Sequence, residues 1–223
     1  MSNWCVVQSD NRDKNSLGTM ADLMEKNKKT CENLEGCSYI GDPLEGTDDV
    51  SPYWRKVHAV KKCIENEKCG TCLYLDSDAV IVPKNFKKDD IDSLLGGKEM
   101  GFAPDWGRDR LNAGVFAVKG NEIGKKIVNE WINLESKNWK KDKKNNWVCK
   151  QNLIDCPWAG KDYEQGTFIK EVAPKFEQHL NEASSYVWDN DSNKNCNGKV
   201  KHFMGRRNTK QTHISGYLKQ HCG

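Results

Sequence analysis

Long hydrophobic runs are missing from this sequence of 223 residues. A membrane-spanning helix needs about 20 consecutive apolar residues, and no stretch of the chain approaches that length. The first residues, MSNWCVVQSDNRDK, also lack the charged start and the apolar segment of a secretory signal peptide. We therefore expect a protein without a membrane span, located in the cytoplasm.

The sequence also has no large excess of one charge. The 35 Lys and Arg residues are balanced by 32 Asp and Glu residues, which leaves a formal net charge of +3. Because this balance gives no strong overall field, we expect neither nucleic acid nor a membrane surface as a partner. Positive charge is concentrated in residues 137–150, KNWKKDKKNNWVCK. This segment fits two interpretations, a solvated loop or a basic lip over an anionic or sugar ligand.

Cysteine, in contrast, is abundant, with ten residues. An even number suits a disulfide framework, but without an export signal we expect reduced thiols that pack as small apolar side chains. Cys69 and Cys72 have the spacing of a zinc or redox pair, but no second C-x-x-C is present. Cys149 and Cys156 do not complete a usual zinc pattern. We therefore expect neither a zinc site nor a redox site.

Short apolar runs alternate with helical patterns along the chain. Runs typical of strands occupy residues 4–8, 37–40, 73–75, 100–103 and 113–118, and helical patterns occupy residues 17–24, 52–64, 91–95, 121–138 and 162–172. The alternation predicts an α/β fold with a mainly parallel central sheet and helices on both faces. The tail after Gly198 has no regular pattern. Since no repeat or long linker divides the chain, we expect a single domain over residues 1–223, which could belong to a longer protein.

An acidic pair interrupts one of the predicted strands. Residues 72–83 read CLYLDSDAVIVP, so Asp76 and Asp78 directly follow an apolar run. Ligands of open α/β sheets bind outside the carboxyl ends of the strands, and residues two apart in an extended chain point the same way. The two carboxylates therefore favour Mg²⁺ or Mn²⁺ together with a diphosphate. Two other D-x-D triplets, at residues 90–92 and 189–191, follow no apolar strand and are expected to be surface features.

The same acidic pair fits a second chemistry. Phosphatases of the haloacid-dehalogenase type also carry D-x-D after an apolar strand. In that interpretation Asp76 is the nucleophile, Asp78 is the general acid, and Mg²⁺ lies between them. Such phosphatases carry the pair after their first strand, whereas two other predicted strands precede it here, so this interpretation explains less of the sequence.

Four segments, in this order, resemble nucleotide-sugar glycosyltransferases of the GT-A fold. They are SPYWRKVHAV at residues 51–60, LYLDSDAVI at 73–81, LNAGVFAVKGNEIGKKIVNEW at 111–131 and HFMG at 202–205. The galactosyl- and mannosyltransferase group is the most similar, and the capsid-glycan glycosyltransferases of large algal viruses also resemble the chain. The resemblance covers residues 3–8 and 52–206.

This resemblance implies a metal-dependent enzyme that uses Mn²⁺ or Mg²⁺. It would move a hexose or deoxyhexose from a UDP-sugar to a hydroxyl of a glycan or glycoprotein acceptor, with retention of configuration preferred. The single domain would divide into a nucleotide-binding half, residues 1–110, and a half that binds sugar and acceptor, residues 111–223. A viral member would act in the host cytoplasm.

The resemblance also implies roles for single residues. Asp76, Asp78 and His202 would bind the metal, and Glu164 and Asp162 would be the catalytic carboxylates. The residues implied to contact nucleotide or sugar are Val7, Gln8, Asp10, Tyr39, Lys56, Asp76, Asn112, Ala113, Gly114, Gln165, Gly205 and Arg206.

Several of these residues also fit ordinary structural roles. Asn112 could close a turn, and Lys56 could be a solvated helix residue. His202 could be a structural histidine, and Glu164 could be a helix-start carboxylate stabilised by the helix dipole. A phosphate-binding lysine beyond the H-x-x-G segment could be Lys210, although its spacing is loose. The whole chain also fits a non-catalytic module that binds a nucleotide or a glycan.

Overall fold

The computed structural model describes residues 3–12, 14–44, 50–105, 111–151, 154–183, 188, 198–204 and 207–219. Its strands are β1 Trp4–Val7, β2 Cys37–Ile40, β3 Thr71–Leu75, β4 Ala79–Ile81, β5 Met100–Pro104, β6 Leu111–Lys119, β7 Trp139–Lys141, β8 Trp147–Gln151, β9 Ile154–Asp155, β10 Leu180–Glu182 and β11 Val200–His202. Its helices are α1 Lys14–Leu17, α2 Thr19–Glu32, α3 Pro52–Glu65, α4 Lys88–Leu95, α5 Glu122–Asn133, α6 Glu164–Thr167, α7 Ala173–Phe176 and α8 Arg207–Lys219. A π-helical turn, Phe168–Val172, joins α6 to α7.

The central sheet has six strands in the order β10-β5-β6-β3-β1-β2. Strand β1 pairs in parallel with β2 and β3, and β10 pairs in parallel with β5. Strand β6 is antiparallel to both β3 and β5, so it runs against the other five strands. Because β6 lies between β3 and β5, the two halves of the chain build one sheet. The predicted mainly parallel sheet is confirmed.

Helices cover both faces of this sheet because successive strand residues point to opposite sides. Val7 and Tyr74 pack on one face with residues of α3 and α5. Val6 and Leu73 pack on the other face with residues of α2 and α4. A third cluster joins α2, α8 and β4. The predicted helices on both faces are therefore confirmed.

Helix α3 begins as the sequence predicts. Ser51 has extended backbone angles and Pro52 occupies the first helical position, although the Ser51 side chain makes no capping hydrogen bond. The apolar stripe of α3 is fully buried, at Trp54, Val57, Val60 and Ile64. The helix fixes Lys56 at the buried face that meets the carboxyl end of β3.

The carboxyl-terminal tail is more regular than expected. Strand β11 pairs antiparallel with β4, and His202 lies opposite Ala79. Helix α8 follows from Arg207 to Lys219. The expectation of an irregular tail was wrong, because a three-residue strand shows no periodicity by itself and exists only through its pairing with β4. The helix predicted at 162–172 is similarly divided into α6 and the π-helical turn.

Six cysteines in the described part of the chain form three disulfides, Cys5–Cys69, Cys31–Cys37 and Cys149–Cys156. The expectation of reduced thiols was therefore wrong for these residues. Pairing of β1 with β3 brings Cys5 close to the chain just before β3, with a Cα–Cα distance of 5.5 Å to Cys69. Cys63 and Cys72 are buried free thiols. Structural disulfides are typical of oxidising environments, whereas thiols in the cytoplasm are usually kept reduced. The disulfides therefore do not support the predicted cytoplasmic location, which stays a prediction.

The basic segment at 137–150 is a hairpin rather than a loop. Strands β7 and β8 pair antiparallel, with Trp139 opposite Cys149 and Lys141 opposite Trp147. The lysines of this hairpin, Lys140, Lys141, Lys143 and Lys144, are exposed. Within the described ranges, no helix combines the length and apolar character needed to cross a bilayer.

Candidate active site

The acidic pair lies on a tight turn between β3 and β4. The Ala79 amide donates to the Asp76 carbonyl at 2.9 Å, and the Asp76 amide donates to the Gly114 carbonyl at 2.8 Å. The prediction that Asp76 and Asp78 are aligned by an extended chain was wrong, since the backbone reverses here. The turn itself brings both carboxylates to the same end of the sheet.

Strand β11 carries His202 to this turn. The Phe203 amide donates to the Asp78 carbonyl at 2.9 Å, which anchors the strand beside the acidic pair. His202 Nε2 lies 3.2 Å from Asp78 Oδ1 and 3.7 Å from Asp76 Oδ2. Possible ligand atoms of Asp76, Asp78 and His202 all lie within 4.8 Å of one another. The structure thus brings together the three residues predicted as metal ligands.

The chemistry of this triad fits a divalent metal. Two carboxylates suit hard cations, and an imidazole is tolerated better by Mn²⁺ than by Mg²⁺. The Asn112 amide nitrogen lies 3.4 Å from His202 Nδ1, which leaves Nε2 directed at the carboxylates.

Two lysines balance the negative charge of the triad. Lys210 on α8 forms an ion pair with Asp78. The lysine suggested as a phosphate ligand from the H-x-x-G segment therefore lies beside the acidic pair. Lys56 Nζ lies 2.9 Å from Asp76 Oδ1. Burial alone would raise the pKa of Asp78, but His202 and Lys210 hold it well below its usual value. Burial likewise opposes the charge on Lys56, yet the Asp76 and Glu164 carboxylates raise its pKa above the ordinary range.

Glu164 lies on the other side of Lys56. Its Oε1 is 3.1 Å from Lys56 Nζ, whereas its Oε2 is buried and has no hydrogen-bond partner among the described residues. Burial raises the pKa of Glu164, with Lys56 opposing the shift and Asp76 adding to it. A buried oxygen without a partner is uncommon in proteins. Glu164 is therefore suited to accept a hydrogen bond from a bound ligand.

Strand β6 brings its backbone close to the triad. The pairing of β5 with β6 shifts register between Phe102 and Ala103, which is a bulge beside the site. Gly114 lies in this region, and a Cβ there would be 2.3 Å from His202 Cε1. Lys56 Nζ donates to the Ala113 carbonyl at 3.2 Å.

Two further predicted site residues support this region of β6. The Asn112 side-chain oxygen accepts from the Gly114 amide at 2.8 Å. Gln165 Oε1 accepts from the Ala113 amide at 3.0 Å. Asn112, Ala113, Gly114 and Gln165 therefore lie together beside the triad.

Gln8, one of the residues predicted to contact the nucleoside, is buried and supports the turn. Val7 and Gln8 have no exposed surface. Gln8 Nε2 donates to the Asp76 carbonyl at 3.0 Å, and its oxygen accepts from Asn27 at 3.0 Å and from the Tyr39 hydroxyl at 3.1 Å. The structure thus gives Gln8 a positioning role, because its amide is engaged by the protein.

Arg12 was missed by the sequence reasoning. Its Nε donates to Asp10 Oδ1 at 2.8 Å, and its Nη2 donates to Ser77 Oγ at 3.2 Å. Burial would raise the pKa of Asp10, but the hydrogen bonds from Arg12 and Ser77 lower it overall. The available signal was a basic residue just beyond the end of the first predicted strand. Arg12 and Asp10 thus flank the acidic turn.

Asp162, predicted as a catalytic carboxylate, is engaged elsewhere. Its Oδ1 accepts from Ser136 at 2.6 Å and from Asn138 at 2.8 Å, so it fixes the chain before β7. A short polar side chain at this position therefore acts as a structural anchor. Gly205 and Arg206 lie outside the described residues.

A mainly parallel six-stranded sheet, with helices on both faces and an acidic turn after β3, defines a GT-A type of fold. The chain is similar to the crystal structure of a glycosyltransferase involved in the glycosylation of the major capsid of PBCV-1, with a TM-score of 0.70 at 16% identity over 95% of this chain and 99% of that one. It is also similar to the glycosyltransferase GlyE of Streptococcus pneumoniae TIGR4, with a TM-score of 0.54 at 12% identity over 100% of this chain and 64% of that one. No protein-family model and no curated protein matches the sequence. At these identities the similarity shows the fold, and the predicted GT-A fold is confirmed.

Proposed function

We propose that this protein is a metal-dependent glycosyltransferase that moves a hexose or deoxyhexose from a UDP-sugar to a hydroxyl group of a glycan. The observation that carries the proposal is the convergence of Asp76, Asp78 and His202 within 4.8 Å at the end of β3. Similarity in fold to the capsid glycosyltransferase and to GlyE supports the same activity.

In this proposal Asp76, Asp78 and His202 hold Mn²⁺. When bound, the ion would neutralise the charge that builds on the departing diphosphate. Lys210 and Arg12, which pair with Asp78 and Asp10, border the acidic turn, and we propose that they turn to phosphate oxygens when the diphosphate is bound. Arginine can bind such oxygens in a bidentate manner.

The transferred sugar would lie between Glu164, Gln165 and Asn112. Lys56 engages Glu164 Oε1 and leaves Oε2 to accept a sugar hydroxyl. We propose retention of configuration. Retention places Glu164 beside the transferred sugar without requiring it to act as a base, and the Oδ1 atom of Asp162 is engaged by Ser136 and Asn138.

The phosphatase alternative requires Asp76 to act as a nucleophile. Asp76 Oδ1 instead has two close partners, Lys56 Nζ at 2.9 Å and the Tyr74 hydroxyl, which donates at 3.0 Å. Asp76 also follows the third strand along the chain rather than the first. Both features favour a ligand role for Asp76 over nucleophilic attack on phosphorus.

Thermal unfolding with UDP tests the proposed function. UDP with Mn²⁺ at a hundred times its dissociation constant should stabilise the fold by about 2.7 kcal/mol. For a domain of this size the melting temperature should then rise by roughly 5–10 °C. UDP without metal should give a much smaller shift.

Activity assays, combined with the melting shift caused by UDP, separate the glycosyltransferase from the phosphatase. A glycosyltransferase should release UDP slowly from the correct UDP-sugar and should not cleave an aryl phosphate. Aryl phosphate turnover that is lost in Asp76→Asn, without any shift caused by UDP, would contradict the proposal and support the phosphatase.

His202→Ala is expected to weaken Mn²⁺ binding more than Mg²⁺ binding, because imidazole suits the softer ion. The two dissociation constants, measured by metal titration in the presence of UDP, provide the comparison. His213→Ala on α8 is the control and should change neither value. Equal losses for both ions, together with a lower melting temperature, would identify His202 as a structural residue.

A further inference from the structure

Four aromatic side chains form a contiguous cluster beside the proposed sugar site. We call this cluster the aromatic platform, and its members are Tyr53, Trp139, Trp158 and Tyr163. The Tyr53 ring centroid lies 4.8 Å from that of Trp139, 4.7 Å from that of Tyr163 and 5.7 Å from that of Trp158. Tyr163 completes the cluster at 5.1 Å from Trp139 and 5.0 Å from Trp158. The platform therefore joins α3, the basic hairpin and the start of α6.

Trp158 gives this platform an open face. It is 74% exposed, in contrast to the fully buried Trp54 and Trp131. Burying a tryptophan ring contributes strongly to stability, and an exposed ring that continues a patch of other aromatic rings is typical of an interaction surface. The exposed face of Trp158 therefore needs an explanation beyond packing.

The segment that carries Trp158 is well anchored. The Cys149–Cys156 disulfide ties its start to the basic hairpin, and the Gly160 amide donates to the Pro157 carbonyl at 3.0 Å. Ala159 has a φ of 54°, a left-handed conformation that is uncommon for a residue with a side chain. Such a conformation persists only where the surroundings impose it, which is frequent at binding sites. The exposed ring is therefore presented on a fixed turn.

The platform adjoins the proposed reaction site through two elements. Tyr163 directly precedes Glu164, whose buried Oε2 has no partner among the described residues. Tyr53 lies one helical turn before Lys56, whose Nζ contacts both Asp76 and Glu164. A ligand on the platform would thus have one edge near Glu164.

We propose that the aromatic platform binds a pyranose ring of the acceptor glycan. The apolar C–H face of the sugar would stack on Trp158, and the hydroxyls of Tyr53 and Tyr163 would contact its polar edge. The ring would then direct a free hydroxyl toward Glu164 and the donor sugar. This inference rests on the proposed function, because it assigns the second substrate of that reaction.

The donor is a poorer occupant of the platform than the acceptor. The groups suited to the metal and the diphosphate, Asp78, His202, Arg12 and Lys210, surround the acidic turn. The platform is instead linked to Asp162, whose carbonyl accepts from Trp139 Nε1 at 2.6 Å. A nucleotide bound at the turn leaves the platform free for the acceptor.

The test compares Trp158→Ala, Trp158→Phe and the wild-type enzyme. Trp147→Ala is the matched control, since Trp147 lies on the basic hairpin, which also carries Trp139, but is itself outside the platform. Calorimetric titrations with oligosaccharides built from glucose, galactose, mannose, xylose or rhamnose are made in the presence of UDP and Mn²⁺. Trp158→Ala should weaken saccharide binding at least about tenfold, as truncation of a central aromatic contact does at other interfaces. Trp158→Phe and Trp147→Ala should stay within about threefold of the wild type.

The donor side supplies an independent readout. The melting shift caused by UDP with Mn²⁺ should be the same in Trp158→Ala and in the wild type, because the variant leaves the triad intact. If that shift is present and Trp158→Ala binds saccharide as the wild type does, the platform assignment is overturned while the proposed function stands. Absence of saccharide binding by the wild type overturns it as well. If the wild type shows neither the UDP shift nor UDP release from any UDP-sugar, the proposed function itself fails.

Discussion

Asp78→Asn is expected to abolish Mn²⁺-dependent UDP binding and to lower transfer activity at least about a hundredfold. Mutation of groups that only support a metal ligand costs about 10–100-fold, so loss of a direct ligand should cost no less. The amide removes the negative charge and one ligand oxygen. The fold should persist, since asparagine has the same size and can accept from His202 Nε2, which lies 3.2 Å from Asp78 Oδ1. The released Lys210, whose side chain is 20% exposed, can turn to solvent.

Calorimetric titration of UDP with and without Mn²⁺ measures this effect. Asp92→Asn is the matched control, because Asp92 belongs to another D-x-D triplet but lies exposed on α4. The control should keep the wild-type affinity, activity and melting temperature. Unchanged Mn²⁺-dependent UDP affinity in Asp78→Asn would remove Asp78 from the metal site and with it the main support for the proposed function.

The sequence predicted those parts of the site that depend on local patterns. An apolar run followed directly by Asp76 indicated the end of a buried strand, and β3 does end at Leu75. Ser51 and Pro52 predicted the start of α3, which is what brings Lys56 to Asp76. The motif order predicted that His202 would join the acidic pair, and the pairing of β11 with β4 provides the physical means.

Features that depend on distant pairing could not be read from the sequence. The reversal at residues 76–79 requires the Gly114 carbonyl and the Gln8 amide as partners for the backbone of Asp76. Arg12 becomes part of the site only because Ser77 approaches it across 65 positions of sequence. Neither interaction leaves a periodic or compositional signal nearby.

The prediction of reduced cysteines was wrong for a different reason. We inferred the absence of disulfides from the lack of an export signal. Such a signal indicates the compartment of a protein, but it carries no information on which cysteines the fold brings together. The pairing depends on geometry: Cys5 and Cys69 have Cα atoms 5.5 Å apart, and Cys149 and Cys156 have Cα atoms 5.6 Å apart. Both distances lie in the range that a disulfide spans without moving the backbone.

Asp162 and Glu164 show why residue type alone does not identify a catalytic group. Both are buried carboxylates in one short segment, and the sequence offered no means to separate them. Ser136 and Asn138 engage Asp162, whereas Lys56 draws Glu164 toward Asp76. The surroundings of the two carboxylates thus depend on partners contributed by α3 and by the chain before β7, and the catalytic role of Glu164 stays a prediction.

Gly114→Ala is expected to lower activity about a hundredfold, although it adds a single methyl group. That methyl would lie 2.3 Å from His202 Cε1 and 2.7 Å from Asp76 Oδ2, so two proposed metal ligands must move. Displacing a reacting group by about 1 Å can cost a hundredfold in rate. Overpacking should also destabilise the fold by about 1–3 kcal/mol, which a lower melting temperature would report.

Gly216→Ala is the matched control for this variant, because nothing lies within 4 Å of a Cβ added there on α8. It should keep full activity and gain stability through the better helix propensity of alanine, by up to about 1 kcal/mol. The double variant Gly114→Ala, His202→Ala removes His202 Cε1, the atom with which the added methyl group clashes. It should therefore recover part of the lost stability, but it should remain inactive. That non-additivity, measured as a double-mutant cycle, distinguishes a clash with His202 from a general backbone effect. Activity of Gly114→Ala within about twofold of the wild type would contradict the tight packing of β6 against the triad, because no added methyl fits at 2.3 Å unless His202 moves.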